Sequence, residues 1–235
     1  IMPVHVFGNP CDVKSIENIA SKNNLKVIYD SAHAFGSTLN GKSILDFGDI
    51  SCVSTHATKI FNTAEGGGLI SNSKILNKKI KSLRFFGFDE NKNVINDGIN
   101  AKMTELHAAL GLANLKEFEK TINHRREIND IYRNQLCHLK NIAFQEIDKG
   151  SNCSYFPIIL EDELSCINLI KLLSEHNIFA RRYLYPSLNK IQTKISDQEC
   201  PFSESISSRI LCLPCDNNVK IKDALYIASI ISKVS

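Results

Sequence analysis

One acid and one amine in this chain stand where reactive groups are commonly placed. Asp30 ends the short apolar run of residues 26–29, and Lys59 follows the apolar run of residues 50–53 on a turn of small and hydroxyl residues. A fixed carboxylate can keep a heteroaromatic nitrogen protonated, and a partly desolvated amine can bond to an aldehyde. Pyridoxal phosphate chemistry needs both groups, because the protonated ring draws electrons away from the bonded substrate.

Each of the two residues also has a plainer interpretation. Asp30 could cap the following segment or begin a turn, and most lysines are solvated surface groups. Lys59 is distinguished by its setting, because glycines 66–68 follow it and let the backbone pass close to a ligand without a side-chain clash. Ser54, at the start of the same turn, could offer its hydroxyl to a phosphate. We therefore take these residues as a candidate cofactor site.

The pattern of apolar and turn residues around this site predicts an α/β domain. Strands are predicted at residues 4–7, 26–29, 49–53 and 68–71, and helices at residues 12–23, 74–84 and 104–136. In open α/β sheets, ligands bind beyond the carboxyl ends of the strands, which is where Asp30 would lie. Residues 85–100 are rich in Gly, Asn and Asp and predict a long functional loop.

The rest of the chain predicts a second, smaller domain. We place the boundary so that residues 1–125 belong to the larger domain and residues 126–235 form an α+β domain. Its predicted strands are residues 142–145 and 155–160, and its predicted helices are residues 165–176 and 222–232. Asp162 is the expected cap of the first of these helices.

Composition argues against several classes of protein. The net charge of +3 is small for 235 residues and its basic residues are scattered among acids, so nucleic-acid binding has little support. No apolar run approaches membrane-spanning length. The eight cysteines are dispersed, which favours a reduced cytoplasmic protein. Cys212 and Cys215 have CxxC spacing without a second pair for zinc, and the histidines show no metal-ligand spacing.

Several motifs in order resemble the DegT/DnrJ/EryC1/StrS family of pyridoxal phosphate-dependent sugar aminotransferases. The matching segments are residues 3–8, 30–36, 48–49, 54–59, 65–67 and 98–109. The resemblance implies the aspartate aminotransferase fold, fold type I, for the larger domain. Family members carry a further N-terminal segment with a phosphate-binding turn, so we expect this chain to be incomplete at its N-terminus and to have little activity alone.

The resemblance also implies roles for individual residues. Asp30 would pair with the pyridine nitrogen, and His33, where many members have glutamine, would contact the ring or its 3′-oxygen. Ser54 would bind the cofactor phosphate, and Lys59 would bond to the cofactor aldehyde and act as the catalytic base and acid. Asn100 would reach across a homodimer interface to the partner's cofactor phosphate.

Two further segments are candidates for substrate contact. His56 resembles the histidine of a His-x-x-Lys subgroup and could contact phosphate or substrate, or could be a hydrogen-bonded structural group. Residues 180–186 combine cations and aromatic rings, which suit a nucleotide-sugar diphosphate but also a surface turn. The candidates in this second segment are Arg181, Arg182, Tyr183 and Tyr185.

The activity that the resemblance implies is transamination in the cytoplasm. An amino group would pass from L-glutamate to a nucleotide-linked 4-keto or 3-keto 6-deoxyhexose of the dTDP-sugar type, for surface polysaccharide or O-antigen synthesis. A related sugar 3-dehydrase has histidine in place of the lysine, so Lys59 argues against that reaction. A non-catalytic regulator that binds the cofactor, or an inactive fragment, remains open as an alternative.

Overall fold

The computed structural model describes residues 1–191 and 198–233. The chain folds into two compact units, the first formed by Ile1–Ile122 with Asp148–Ser154 and the second by Asn123–Ile147 with Tyr155–Ser235. The domain boundary placed after residue 125 stays a prediction.

The first unit holds a three-stranded sheet and a small hairpin. Its strands are β1 (Ile28–Asp30), β2 (Thr38–Leu39), β3 (Lys42–Ser43), β4 (Ile50–Ser54) and β5 (Gly67–Ile70). β4 is the central strand of the sheet: it runs parallel to β1, with Asp30 opposite Cys52, and antiparallel to β5, with Ser54 opposite Gly67. β2 and β3 pair as the hairpin around the predicted turn at Asn40 and Gly41.

Three helices begin within one residue of their predicted starts. They are α1 (Val13–Lys22), α2 (Lys74–Arg84) and α3 (Glu105–Lys116). Each begins after a side chain that accepts a backbone N–H in the first turn, namely Asp12, Ser73 and Thr104. Such caps satisfy N–H groups that have no partner within the helix, so these starts are set by local sequence.

The predicted strand at residues 4–7 is wrong. Only Val4 pairs with a strand, through a parallel bridge to Asp30, and Val6–Gly8 form a 3₁₀ turn. Phe7 and Gly8 have φ of 59° and 83°, which is left-handed backbone that ends an extended segment. Apolar side chains suggested a strand here, but the chain turns so that Phe7 and His5 become buried.

The single helix predicted for residues 104–136 is in fact two helices. α3 ends at Lys116, and α4 (Phe118–Leu136) begins after Glu117, whose N–H donates to Asn114 and Leu115. At the break the Phe118 ring packs edge-on against Phe35 and Phe61, with centroid distances of 5.0 and 6.0 Å. The hydrophobic pattern continues across the break, so the local pattern carries no sign of it.

The core of the first unit lies between α1 and the sheet. It is formed by Val13, Ala20, Val27, Tyr29, Ala34 and Ile44, all buried. Tyr29 is 1% exposed and leaves no room for a side chain at Gly48, whose Cβ would lie 2.8 Å from the ring. The core therefore holds β1 in place one residue before Asp30.

The second unit has an antiparallel sheet in the order β6 (Ile142–Phe144), β7 (Phe156–Leu160) and β8 (Ile210–Leu213). Its helices are the later part of α4, α5 (Glu163–Glu175), α6 (Pro201–Arg209) and α7 (Ile221–Ile231). Asp162 caps α5 as predicted, accepting the Ser165 N–H at 2.7 Å. Neither α6 nor β8 was predicted from the sequence.

All eight cysteines are free thiols. Cys212 and Cys215 are both buried, and burial raises the pKa of the Cys212 thiol well above its usual range. A thiol held in its protonated form is a poor nucleophile, so this CxxC pair does not resemble a redox centre.

No helix in the described ranges is both long and apolar enough to cross a bilayer. Residues 1–191 and 198–233 contain no cluster of His, Cys, Asp or Glu suited to a metal ion.

Candidate active site

Asp30 and Lys59 both lie beyond the carboxyl end of the parallel pair β1 and β4. Asp30 is the last residue of β1, and the turn that carries Lys59 follows Ser54, the last residue of β4. In that turn the Lys59 N–H donates to the His56 carbonyl at 2.9 Å. Because neighbouring parallel strands end at the same edge of a sheet, the acid and the amine share that edge.

The backbone of Asp30 is fixed by two hydrogen bonds to the segment before α1. Its N–H donates to Pro3 O at 2.8 Å, and its carbonyl accepts the His5 N–H at 3.0 Å. One carboxylate oxygen, Oδ1, accepts the Ala32 N–H at 3.0 Å. The other oxygen has no hydrogen-bond partner among the residues that the structure describes, so it is available to a ligand.

His33 lies within the electrostatic influence of both residues. Its ring stacks on Phe7 with a centroid distance of 6.0 Å, and its Nδ1 accepts the Phe7 N–H at 3.2 Å. The pKa of His33 is lowered to about 4, chiefly by burial and also by the positive charge of Lys59, whereas the negative charge of Asp30 opposes the shift. His33 is therefore neutral near pH 7 and carries its proton on Nε2.

We expect His33 to make the protein less stable in mild acid. Its pKa is about 4 when folded and 6.5 when unfolded, so the unfolded chain binds the proton first. Stability from the neutral ring is present above 6.5 and is lost as the pH falls toward 4. The free energy of unfolding of the parent protein should fall between about pH 7 and pH 5. In His33→Gln this fall should be smaller by roughly 2 kcal/mol.

Urea denaturation at the two pH values measures this effect. His138→Gln is the matched control, because His138 is exposed. A remaining slope is expected from His5, whose pKa burial also lowers to about 4. If His33→Gln kept the full pH dependence of the parent protein, the neutral state of His33 would be contradicted.

The turn after β4 is stabilised by hydrogen bonds of hydroxyl groups and of the backbone. Thr55 Oγ1 lies 2.7 Å from Thr63 Oγ1, and the Thr55 N–H donates to Gly66 O at 3.0 Å. Ser54 Oγ accepts the His56 N–H at 3.3 Å. Ser54, the residue predicted to bind the cofactor phosphate, therefore also stabilises the turn. Gly66 has φ of 147° and no space for a Cβ beside the two threonine hydroxyls. The turn thus depends on glycine at this position.

The amine of Lys59 makes no hydrogen bond or ion pair with any described residue. His56, in contrast, is engaged locally: its Nδ1 lies 2.9 Å from Thr58 Oγ1 and its Nε2 lies 3.5 Å from Glu65 Oε1. These contacts account for the position of His56 without a substrate. Its role in substrate binding stays a prediction.

The donor set fits pyridoxal phosphate. Asp30 offers a free carboxylate oxygen at the strand end, and Lys59 offers an amine without a partner in the described chain. Ser31 Oγ is buried and likewise has no hydrogen-bond partner among described residues. A side chain at Gly67 would come within 2.6 Å of Val53 O, so the backbone of β5 lies directly against β4. A carboxylate for the ring nitrogen and an amine for the cofactor aldehyde are the two groups that pyridoxal phosphate requires.

Asn100 lies at the end of the predicted functional loop. Its backbone pairs with Phe85 in an antiparallel bridge, and its side chain is exposed, without a partner among the residues described. The side chain is thus free to contact another molecule. The predicted reach across a homodimer stays a prediction.

The predicted substrate segment lies in the second unit, and its two arginines differ. Arg182 Nη2 donates to Glu163 Oε1 at 2.7 Å and to Ser208 O at 2.6 Å, and its guanidinium lies 3.5 Å from the centroid of the Tyr185 ring. Arg181 is exposed, and its side chain has no partner in the described ranges. Tyr183 stacks on Tyr155 with a centroid distance of 5.4 Å.

Sequence reasoning missed one residue that shapes the site. Asn152 is fully buried in the first unit and donates from Nδ2 to His33 O and Phe35 O, both at 2.8 Å. The polar run of residues 151–154 signals a turn, but nothing local shows which distant carbonyls it reaches.

The α/β fold, with an acid at the end of β1 and a lysine in the turn after β4, is fold type I. The chain belongs to the DegT/DnrJ/EryC1/StrS aminotransferase family, whose profile matches residues 1–232. The predicted family and fold are confirmed by this match and by the relatives that follow.

Three relatives illustrate the similarity. The dTDP-4-amino-4,6-dideoxy-D-glucose transaminase of Shigella dysenteriae is 42% identical over 100% of this chain and 66% of its own length. The structure of DesI in the presence of its TDP-sugar product has a TM-score of 0.88 and 28% identity, covering 97% of this chain and 60% of DesI. NtdA from Bacillus subtilis with bound cofactor PMP has a TM-score of 0.91 and 27% identity, covering 100% and 56%.

The chain therefore spans between 56% and 66% of the length of these relatives. A bound PMP in NtdA agrees with the predicted cofactor, because PMP is the amine form of pyridoxal phosphate. Pyridoxal phosphate is confirmed as the cofactor of the family.

Proposed function

We propose that this protein transfers an amino group from L-glutamate to the carbonyl carbon of a dTDP-linked 4-keto-6-deoxyhexose, with pyridoxal phosphate bound at Asp30 and Lys59. One observation carries the proposal: the two residues lie on one edge of the sheet, and both of their charges act on the ring of His33. A structural acid and a surface lysine would not be expected to share one such neighbour.

The residues of the chain would divide the chemistry among them. The bound cofactor supplies the electron sink for carbanion formation. Asp30 would hold the pyridine nitrogen protonated through its free carboxylate oxygen. The neutral His33 side chain would donate a hydrogen bond to the cofactor ring or its 3′-oxygen from Nε2. Lys59 Nζ would take a proton from Cα of the amino donor and return one during transfer to the sugar. Ser54 Oγ would donate to the cofactor phosphate.

The relatives support a nucleotide sugar as the acceptor. The name of the Shigella dysenteriae protein places the amino group at C4 of a dTDP-linked 4,6-dideoxy sugar, and DesI was solved with a TDP-sugar product. The 4-keto substrate is therefore favoured over the 3-keto one. Glutamate follows from the family resemblance, and we propose a homodimer in which the exposed Asn100 reaches the partner.

We assign recognition of the anionic part of the substrate to Arg181 and a supporting role to Arg182. An arginine with a free guanidinium can bind phosphate oxygens in pairs, whereas Arg182 already binds Glu163 and Ser208 and is 18% exposed. Arg181→Ala should raise KM for the nucleotide sugar about tenfold or more without loss of stability, since charged hydrogen bonds contribute about 1.5–3 kcal/mol. Arg182→Ala should instead lower the thermal midpoint, because it leaves Glu163 without its ion pair.

The test is an amine-transfer assay on the complete gene product. The protein, loaded with pyridoxal phosphate, is mixed with glutamate and dTDP-4-keto-6-deoxyglucose, and the aminosugar and 2-oxoglutarate are quantified for the parent protein and both arginine variants. Sedimentation of the same samples reports the oligomeric state, which we expect to be a dimer. A protein that bound the cofactor but aminated no dTDP-, GDP- or UDP-linked ketosugar would overturn the proposal and favour a non-catalytic regulator.

A further inference from the structure

The loop after β1 carries two residues of the candidate site and is built from consecutive turns. Asp30 begins the loop and His33 lies within it. The Ala34 N–H donates to Ser31 O at 2.9 Å, and the Ser37 N–H donates to Ala34 O at 3.0 Å. The carbonyls of His33 and Phe35 lie on either side of Ala34 in these turns.

Asn152 donates to both carbonyls, and the Ser154 hydroxyl also lies 3.2 Å from His33 O. The Asn152 Nδ2 donates to His33 O and to Phe35 O at 2.8 Å each. Asn152 is 0% exposed, and it lies far along the chain from the two residues that it holds. A primary amide has two N–H donors, and here both are used on two carbonyls that flank one turn. This arrangement fixes the turn more tightly than a single hydrogen bond would.

The rest of the Asn152 amide is also committed. Its Oδ1 accepts the Ser154 N–H at 3.0 Å and the Ser154 hydroxyl at 2.7 Å. Its backbone N–H donates to Ser37 Oγ at 3.2 Å, and that hydroxyl donates to Gly8 O at 2.6 Å. The orientation of the amide is therefore determined by its neighbours, because reversing it would place Nδ2 against the Ser154 N–H.

Gly8 makes room for the Asn152 amide. A Cβ on Gly8 would collide with Asn152 Oδ1 and would lie 2.8 Å from His33 O. Gly8 also has φ of 83°, which disfavours other residues. Gly8, the buried Asn152 amide and the loop of residues 30–37 therefore pack against one another.

We propose that Asn152 is a positioning residue that fixes the loop of residues 30–37, and through it the Asp30 carboxylate and the His33 ring, in the geometry that binds the cofactor. This inference rests on the proposed function, because it assumes that the loop faces pyridoxal phosphate. Asn152 itself makes no contact with the cofactor in this proposal. Its effect is to remove freedom from the loop before the cofactor binds.

Asn152→Asp tests the proposal with little change of shape. The carboxylate keeps an acceptor for Ser154 but places a second acceptor against the His33 and Phe35 carbonyls, so the loop should move away. We expect the Kd for pyridoxal phosphate, from titration of visible absorbance, to rise about tenfold or more, which is about 1.4 kcal/mol. The induced circular dichroism per bound cofactor should also change, because that signal depends on the orientation of the ring.

Asn77→Ala is the matched control. Asn77 Nδ2 also donates to a backbone carbonyl in the first unit, Ser71 O at 2.8 Å, but away from the site loop. It should lower the thermal midpoint of the cofactor-free protein while leaving the Kd and the induced signal unchanged. If Asn152→Asp does not fold, Asn152→Ala removes the donors without adding charge and is measured in the same way.

The outcomes separate the positioning role from the proposed function. Failure of the parent protein to bind pyridoxal phosphate overturns the proposed function, and the positioning role falls with it. A parent protein that binds, together with Asn152 variants whose Kd and induced signal match those of the parent or of Asn77→Ala, overturns the positioning role alone. A raised Kd and an altered induced signal in the Asn152 variants only, with borohydride labelling still at Lys59, supports it.

Discussion

Lys59→Ala is expected to reduce amine transfer by about a thousandfold or more. The lysine is proposed both to bond the cofactor aldehyde and to move the proton at the substrate Cα, and positioned acid–base groups alone contribute about 10²–10⁴-fold. Alanine can do neither. Among the residues described, the amine has no partner to lose, so the folded structure should be unaffected.

Two measurements check the role of Lys59. The amine-transfer assay gives the rate, and borohydride reduction of the loaded protein followed by peptide mapping shows which amine carries the cofactor. Lys42→Ala is the control, since Lys42 is exposed on β3, and it should keep both the rate and the label on Lys59. A Lys59→Ala protein within about tenfold of the parent rate, or a parent label on another lysine, would refute the assignment.

Asp30→Asn is expected to lower the turnover number by about 10²–10³-fold, the usual cost of removing one preorganised electrostatic contact at a reacting centre. Asparagine keeps an oxygen that can accept the Ala32 N–H, so the turn after β1 should persist. Its neutral amide, however, cannot hold the pyridine nitrogen in the protonated form. The cofactor should then withdraw electrons less well, although it can still bond to Lys59.

The same two assays separate this effect from the loss of Lys59. Asp30→Asn should keep the borohydride label on Lys59 while losing turnover, whereas Lys59→Ala should lose both. Asp46→Asn is the matched control, because the Asp46 side chain is exposed and lies in the 3₁₀ turn before β4. An Asp30→Asn protein with unchanged turnover would show that this carboxylate does not serve the ring.

Local sequence determined much of the candidate site. Asp30 and Lys59 could be chosen because each ends or follows a short apolar strand, and strand ends are where α/β sheets bind ligands. The helix starts at Asp12 and Asp162 were also predictable, since a cap is a contact within one turn of the chain. These features depend on residues close together in sequence, which is why pattern alone was sufficient.

Only the tertiary structure decided what those residues touch. Asn152 reaches His33 and Phe35 from far along the chain, and the division between Arg181 and Arg182 depends on the distant Glu163 and Ser208. The lowered pKa of His33 likewise comes from burial and from the positive charge of Lys59, which together outweigh the opposing charge of Asp30. Hydrogen-bond partners, burial and electric fields are set by packing between distant segments, and the order of residues in one segment does not encode them.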